Sequence, residues 1–299
     1  MSIVSFQDLI KEAESGGYAV GYFESWNLES LFAVADAATS MRSPVILGFS
    51  GIHFPFAEQY AIDRLRVAAA LGNEICRQLP VPSCLLFNES PHFDWVMEAV
   101  ALGFGLVMFT DENLSLEDQK NRVLRIVERA HKAGAAVEGE MLSLPGVSGQ
   151  LSALPSDLRL TEPDLARTFV EETGIDALAV NIGQAHVHGR SKLPLCLSRL
   201  REIRKAVSVP LVLHGATSID HWHLHEAIKL GIRKINVGSI LKRVFFEAVR
   251  AACLRVGADY SPYDVVGSGV DSDILAAGRD AMRKTVEEMM CLFESAGKC

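Results

Sequence analysis

The chain has 299 residues, of which 49% are hydrophobic and 22% are charged, and its formal net charge is −8. This ordinary globular composition excludes intrinsic disorder, collagen-like repeats and coiled-coil architecture. The negative charge argues against non-specific binding to nucleic acid or to an anionic membrane, although a local site can still bind a phosphorylated small molecule.

The first residues do not resemble a signal peptide, because Asp8, Lys11, Glu12 and Glu14 interrupt the region where an apolar segment would stand. No stretch approaches the ~18 uninterrupted apolar residues of a membrane-spanning helix. The six cysteines are scattered without a CxxC pair, a pattern typical of reduced thiols. These features lead us to expect a cytoplasmic protein.

Short apolar runs alternate with segments of helical periodicity along the chain. The runs lie at residues 19–23, 45–49, 84–87, 106–109, 135–137, 177–180, 211–213 and 235–237. Helical periodicity begins at Leu28, where Asn27 can cap the helix, and recurs at residues 116–133, 218–230 and 274–293. Continuous apolar runs are typical of strands buried on both faces, and their alternation with helices indicates parallel pairing.

Eight such units predict an α/β protein, a (β/α)8 TIM barrel. We expect one domain over residues 1–299, with a helical extension from about residue 272. The competing architecture, a doubly wound open sheet, usually has a glycine-rich phosphate loop after its first strand. Here that position reads Glu24-Ser25-Trp26-Asn27, which favours the barrel.

Polar residues follow each predicted strand, at the end where TIM barrels carry out chemistry. They are Glu24, Ser50, Asn88, Glu89, Thr110, Asp111, Glu112, Glu138, Glu140, Gln184, His186, His188, His214, Asn236 and Ser239. Imidazole is a common zinc ligand, and strand ends six and seven are neighbours, so His186 and His214 can share a metal. A carboxylate, either Glu89 or Glu140, can complete the site; the alternative is a set of hydrogen-bonded rim histidines without metal.

An anion site is predicted after the last two strands. Gly215-Ala216-Thr217-Ser218 and Val237-Gly238-Ser239 combine small residues and hydroxyls at the start of helical segments. Backbone N–H groups converge in such loops, and the helix N-terminus favours negative charge. Barrels often bind phosphate at this place, although the glycines are also compatible with simple tight turns.

The sequence resembles the class II, metal-dependent ketose-phosphate aldolases, which cleave fructose or tagatose bisphosphates. The resemblance covers nearly the whole chain, and its motifs are Gly17-Tyr18-Ala19-Val20, Asn27-Leu28-Glu29, Ser43-Pro44-Val45-Ile46, Thr173-Gly174-Ile175-Asp176, Gly183-Gln184-Ala185-His186, Leu213-His214-Gly215-Ala216-Thr217, Lys234-Ile235-Asn236-Val237 and Leu292-Phe293-Glu294-Ser295-Ala296-Gly297-Lys298. It implies a zinc ion held partly by His186 and His214. It also implies phosphate binding by Gly215, Thr217, Asn236, Gly238 and Ser239, and a homodimer or homotetramer.

The sequence departs from the family where the carbon–carbon bond is handled. The family reads His-Leu-Asp-His after strand three, but here Asn88 replaces the proton-donating Asp and Glu89 replaces the zinc-binding His. An amide cannot act as a general acid, whereas Glu89 can still bind a metal through oxygen. The acidic cluster of the family's loop after strand five is absent beyond Glu140, and Glu24 replaces a substrate-contacting Asn.

These departures predict a diverged class II aldolase-like lyase. It would cleave a phosphorylated ketose reversibly through a metal-stabilised enediolate, with Zn2+ or another divalent metal, and a metal-free state is the other option. The candidates for acid/base work are Glu24, Glu140 and His188, with Glu24 first, and Asn88 occupies the family's catalytic position. The alternatives are an isomerase or epimerase using the same enediolate, and a non-catalytic protein that binds phosphorylated metabolites.

Overall fold

The computed structural model describes residues 2–54, 58–141, 144, 159–185 and 192–299, with side chains from Tyr60 onward in the third helix. The strands are β1 Val20–Glu24, β2 Val45–Ser50, β3 Ser83–Ser90, β4 Leu106–Phe109, β5 Ala136–Glu140, β6 Ala177–Ala179, β7 Leu211–Leu213 and β8 Ile232–Val237. The helices are α1 Phe6–Gly16, α2 Leu28–Met41, α3 Glu58–Gln78, α4 Phe93–Ala101, α5 Leu116–Ala133, α6 Pro163–Thr173, α7 Leu197–Ala206, α8 His221–Lys229, α9 Ser239–Cys253, α10 Pro262–Val265 and α11 Ile274–Leu292, with a 3-10 turn at Ala216–Ser218.

The strands β1 to β8 form a closed parallel barrel in chain order, which confirms the predicted TIM barrel. The first and last strands close it, with Tyr22 opposite Asn236. Strands β1, β2, β5 and β8 are buried along their whole length, as strands covered by helices on one face and by the barrel interior on the other must be.

Helix boundaries follow local capping chemistry. At the start of α2 the Asn27 side chain accepts a hydrogen bond from the Ser30 N–H, and the Ser30 hydroxyl in turn accepts one from the Asn27 N–H. Helix α5 begins after Ser115, whose side chain accepts a hydrogen bond from the Asp118 N–H. It ends before Gly134, whose φ of 77° lies in the left-handed region. The predicted bounds of α5 are therefore confirmed.

The barrel interior is apolar at one end and polar at the other. Val20, Tyr22 and Ile46 belong to an interior cluster that Phe6 and Leu9 of α1 join, so α1 closes the amino-terminal end. Every second residue of a strand faces the barrel interior. The inward-facing residues that follow this apolar cluster along the strands therefore lie at the carboxyl-terminal end of the barrel. That end collects the polar side chains, which places the site there.

The last helix packs against α2 and α9 on the outside of the barrel. It begins at Ile274, and the side chain of the preceding Asp273 caps it by accepting a hydrogen bond from the Leu275 N–H. Within the described part of the chain, no helix combines the length and the apolarity needed to cross a membrane.

Candidate active site

A cavity of about 250 Å³ opens at the carboxyl-terminal end of the barrel. Its described lining comprises Tyr22, Glu24, His53, Asn88, Glu89, His214, Gly215, Thr217, Asn236, Val237, Gly238, Ser239 and Lys242. We call it the site cavity. It brings together most of the predicted site residues within the described chain, drawn from β1, β3, β7, β8 and the turns that follow.

His214 lies between two carboxylates at the floor of the site cavity. Its Nδ1 is 3.1 Å from Oε1 of Glu89, and its Nε2 is 2.7 Å from Oε1 of Glu138. The pairing of β3 with β4 shifts register between Phe87 and Ser90, and Glu89 has a φ of 47°. This irregular backbone, which costs free energy for a residue other than glycine, accompanies the approach of Glu89 to His214.

The two carboxylates determine the charge of His214. Burial alone lowers the pKa of this imidazole, but Glu89 and Glu138 raise it from 6.5 to about 10. In the metal-free protein the ring is therefore a cation that donates to both carboxylates. A metal ion bound to this ring would have to displace a proton.

We expect the metal-free protein to lose stability as the pH rises. The folded pKa of His214 exceeds its unfolded value, so its contribution is complete below about pH 6.5 and disappears as the pH rises through about 10. Urea unfolding of chelator-treated protein at pH 6, 8 and 10 measures this loss. A His214→Gln variant with the same pH dependence as the wild type would contradict the assignment.

A buried ion pair between Lys234 and Glu138 holds the carboxylate that contacts His214. Lys234 and Glu138 are both fully buried, with Nζ of Lys234 2.7 Å from Oε2 of Glu138. Burial lowers the pKa of Lys234; burial would raise that of Glu138, but Lys234 and His214 hold it low. The ammonium also donates to Oδ1 of Asn236 and lies 5.3 Å from the ring centre of Tyr22. The pair thus fixes the carboxylate that orients His214.

Asn88 connects Glu89, near the end of β3, with Asn236 on β8. Its Nδ2 donates to Oε2 of Glu89 at 2.6 Å, and its Oδ1 accepts from Nδ2 of Asn236 at 3.3 Å. Asn236 also lies 3.0 Å from Nε2 of His214. An amide can donate and accept at once, which an ionised carboxylate cannot do. Asn88 therefore acts as a positioning group for its two neighbours.

The predicted phosphate loops line the same cavity. Gly215 has a φ of 67°, a left-handed conformation that favours glycine, and it begins the 3-10 turn containing Thr217. Lys192 holds this turn, since its Nζ donates to the carbonyls of Thr217 and Ile219 at 3.1 and 3.2 Å. Helix α9 begins at Ser239, so its N-terminus lies at the cavity wall.

Glu24 stands beside this helix N-terminus and is paired with a cation. Its Oε1 is 2.6 Å from Nζ of Lys242, a residue of the first turn of α9. Its Oε2 occupies the space that a β-carbon at position 238 would need, so a larger residue there would require the Glu24 carboxylate to move. Glu24 and Lys242 thus place opposite charges beside the turn at Gly238.

One predicted candidate lies outside the described lining of the site cavity, and the structure does not describe two others. Glu140 is buried, accepts a hydrogen bond from the Thr110 hydroxyl, and is not in the described lining of the site cavity. His186 and His188 lie outside the described residues. The loop after β5 also lies outside them, apart from Met141, Leu144 and the segment from Arg159.

Comparison with known proteins identifies the family. The model of class II fructose-bisphosphate aldolases matches residues 4–298. The chain belongs to this family. The YdjI aldolase of Escherichia coli K12 is 27% identical to it, with a TM-score of 0.81 over 99% of both chains. A candidate fructose-1,6-biphosphate aldolase of Coccidioides immitis is also 27% identical, with a TM-score of 0.79 over 98% of this chain and 97% of that one.

A fructose-bisphosphate aldolase of Campylobacter jejuni shares the fold at 20% identity, with a TM-score of 0.79 over 99% of this chain and 97% of that one. The family and the two neighbours of higher identity are aldolases, which confirms the resemblance inferred from the sequence motifs. They support an aldolase-type function for this chain.

Class II aldolases generally depend on a divalent metal, and the donor atoms in the site cavity fit one in part. Among the described residues no three His, Cys, Asp or Glu side chains form a metal-binding group. Glu89 and His214 nevertheless supply an oxygen and a nitrogen of the kinds that bind zinc, and these atoms share a 3.1 Å hydrogen bond that a bound ion would have to replace. Glu138 binds the other nitrogen of His214, as carboxylates commonly do behind metal-ligating histidines.

Sequence reasoning missed three members of this aldolase site. Lys234 and Lys242 could not be recognised from the sequence, because their partners are distant in it. Lys234 pairs with Glu138, and Lys242 pairs with Glu24. Lys234 stands two residues before Asn236 on the same strand, so both side chains face the barrel interior. This spacing is the sequence feature that could have predicted Lys234 as a site residue. His53 lies in the turn after β2, where no pattern marks it, and its Nδ1 is 3.4 Å from the Ser50 hydroxyl.

Proposed function

We propose that this chain is a metal-dependent aldolase that reversibly cleaves a phosphorylated ketose with a dihydroxyacetone phosphate-type half. One observation carries the proposal: the Glu89–His214–Glu138 chain and the turns at Gly215 and Gly238 line the same cavity. A ligand whose phosphate contacts those turns would present its carbonyl to the metal side. Membership of the aldolase family supports the same reaction class.

The phosphate group would bind where the turn after β7 meets the N-terminus of α9. Gly215, Thr217, Gly238 and Ser239 line this part of the cavity with backbone groups and hydroxyls. Asn236 lies deeper, bonded to Lys234 and Asn88, where it can hold the neighbouring oxygen atoms of the substrate. The helix N-terminus favours the negative charge of the phosphate.

Glu89 and His214, together with His186 by its position in the family motif, would hold the divalent metal, with zinc as our first choice. When bound, the metal acts as a Lewis acid that stabilises negative charge on the substrate's carbonyl oxygen. Glu138 and Lys234 keep His214 oriented toward that place. Asn88 keeps Glu89 oriented through its 2.6 Å hydrogen bond.

Glu24 is our choice for the proton transfer at the carbon–carbon bond, with His53 as the other titratable group that lines both the site cavity and the region beside it. In cleavage, Glu24 takes the proton of the hydroxyl next to the broken bond, and that carbon becomes the aldehyde carbonyl. The electron pair of the broken bond stays on the phosphorylated half as an enediolate. Solvent then supplies a proton to that half, which restores dihydroxyacetone phosphate.

Lys242→Met is expected to raise KM for a phosphorylated ketose about tenfold or more, because a charge-assisted contact near the phosphate is lost. Lys229→Met is the matched control, since Lys229 also pairs with a carboxylate, Glu226, and is not in the described lining of the site cavity. Inhibition by inorganic phosphate provides the independent reading. Equal inhibition constants for wild type and Lys242→Met would exclude Lys242 from phosphate binding.

A coupled assay tests the proposed reaction. Zinc-loaded protein is incubated with fructose 1,6-bisphosphate, tagatose 1,6-bisphosphate and fructose 1-phosphate, and triose phosphate is detected by NADH oxidation through glycerol-3-phosphate dehydrogenase. We expect release from at least one ketose phosphate and none with His214→Ala. Thermal stabilisation by these compounds without cleavage would instead support a binding protein, and solvent deuterium entry without cleavage an isomerase.

We also propose that the enzyme is cytoplasmic and works as a homodimer or homotetramer. Leu254 and Tyr263 are 82% and 86% exposed, and α10 has no buried residue, so this segment offers apolar surface for association. Sedimentation velocity measures the state directly. A monomer at micromolar concentration would contradict the proposal.

A further inference from the structure

A second cavity of about 170 Å³ adjoins the site cavity, between α2 and α3. We call it the side cavity. The two cavities share Glu24 and His53 in their linings. Most of the remaining described lining comes from β2 and from the facing sides of α2 and α3.

The side cavity differs chemically from the phosphate side of the site. Its walls are mainly aromatic and aliphatic, with Phe49 and Leu31 buried at its inner side and Val67 and Leu71 partly exposed at its outer side. Arg64 is exposed in its lining and already takes part in another interaction. Unlike the phosphate side, the described lining contains no glycine turn at a helix N-terminus. Such walls suit an apolar group.

A buried hydroxyl in the side cavity also lacks a partner. Ser25 is 2% exposed, and its Oγ has no hydrogen-bond partner among the described residues. A buried polar atom without a partner costs free energy, and a rotation of the Ser25 side chain would be needed to bring this hydroxyl to a polar atom of a ligand in the side cavity.

We propose that the side cavity binds an apolar alkyl or aryl substituent carried by the aldehyde half of the substrate. The inference rests on the proposed aldolase function. If Glu24 acts on the hydroxyl beside the broken bond, that carbon lies where the two cavities meet, and its substituent extends into the side cavity. The preferred carbonyl partner is then a hydrophobic aldehyde rather than a phosphorylated triose.

Condensation with dihydroxyacetone phosphate tests this preference. Zinc-loaded protein is assayed with phenylacetaldehyde, hexanal, glycolaldehyde and glyceraldehyde 3-phosphate. We expect kcat/KM to be about tenfold or more higher for phenylacetaldehyde than for glyceraldehyde 3-phosphate, since each methylene in an apolar pocket contributes measurably to selection. Preference for the phosphorylated aldehyde would overturn the proposal.

Matched substitutions on α3 locate the effect. Ala68 lines the side cavity and is buried, whereas Ala70 is exposed and outside the lining. Ala68→Trp should lower kcat/KM for phenylacetaldehyde about tenfold and leave glycolaldehyde within twofold, and Ala70→Trp should change neither. Val67→Asp is a second test variant. Val67 belongs to the same lining but is 54% exposed, so the fold tolerates a substitution there more easily than at Ala68.

Binding of benzyl alcohol, followed by saturation-transfer NMR, separates this inference from the aldolase proposal. Binding that Ala68→Trp removes, without condensation of any aldehyde, would leave the apolar site standing and overturn the reaction. Condensation of phenylacetaldehyde that neither Ala68→Trp nor Val67→Asp lowers would overturn the side-cavity assignment alone. A changed sedimentation coefficient in these variants with unchanged aldehyde preference would assign the cavity to contact between copies of the chain.

Discussion

Lys234→Met is expected to lower the free energy of unfolding by about 3–5 kcal/mol, the usual cost of removing one partner from a buried ion pair. The substitution leaves the Glu138 carboxylate, which is fully buried, without the ammonium 2.7 Å away. It also removes the donor to Asn236. Urea unfolding of the metal-free protein at pH 7 measures the change.

The double variant Lys234→Met/Glu138→Gln is the control for this prediction. It removes both charges and keeps an amide that can accept from His214, so it should be more stable than Lys234→Met alone. If the single and double variants were equally destabilised, the loss would come from packing rather than from an unpaired carboxylate.

His214→Ala is expected to lower zinc content to background and kcat/KM by about a thousandfold or more, because it removes a ligand from the proposed electrophilic site. The same change frees Glu89 and Glu138 from their common partner. Zinc per chain, measured by inductively coupled plasma mass spectrometry, and the coupled cleavage assay give the two readings.

His223→Ala provides the comparison for His214→Ala. His223 also has an acidic partner, Asp220 at 2.6 Å, but it lies on α8 and is not in the described lining of the site cavity. Zinc content and activity should remain at wild-type values. A His214→Ala protein that retained one zinc per chain and full activity would remove His214 from the metal site.

Much of the fold follows from local patterns in the sequence. Strands β4 and β7 were predicted to the residue, and α5 and α2 begin at the predicted positions because Ser115 and Asn27 cap them. These elements depend on continuous apolar runs and on caps within three residues, both of which are visible without tertiary information.

Four strands, β2, β3, β5 and β8, are longer than the apolar runs indicated, and the extensions of β3 and β8 contribute to the site. Strand β8 begins at Ile232 because Arg233 and Lys234 have partners elsewhere, the carbonyl of Ile228 and the Glu138 carboxylate. Strand β3 continues to Ser90 through Glu89, whose left-handed backbone has no sequence signature. Contacts between residues distant in sequence, such as Lys234 with Glu138 and Glu89 with His214, decide such positions, and a single sequence does not display them.

The composition of the site cavity could be predicted only in part. Glu24, Asn88, Glu89 and His214 lie where the strand ends place them, since a barrel collects those ends at one opening. Glu140 follows the same rule by sequence but bonds with Thr110 outside the described lining. Strand ends therefore predict the opening, while neighbouring side chains decide which groups face the ligand.

Exchange of dihydroxyacetone phosphate with solvent deuterium tests the central claim most directly, because it requires no knowledge of the aldehyde. Zinc-loaded protein is incubated with this compound in deuterium oxide, and the hydroxymethyl signal is followed by proton NMR. The account predicts loss of one of the two hydroxymethyl protons with the wild type and none with His214→Ala. Zinc-loaded protein that binds the compound but leaves both protons in place would contradict it.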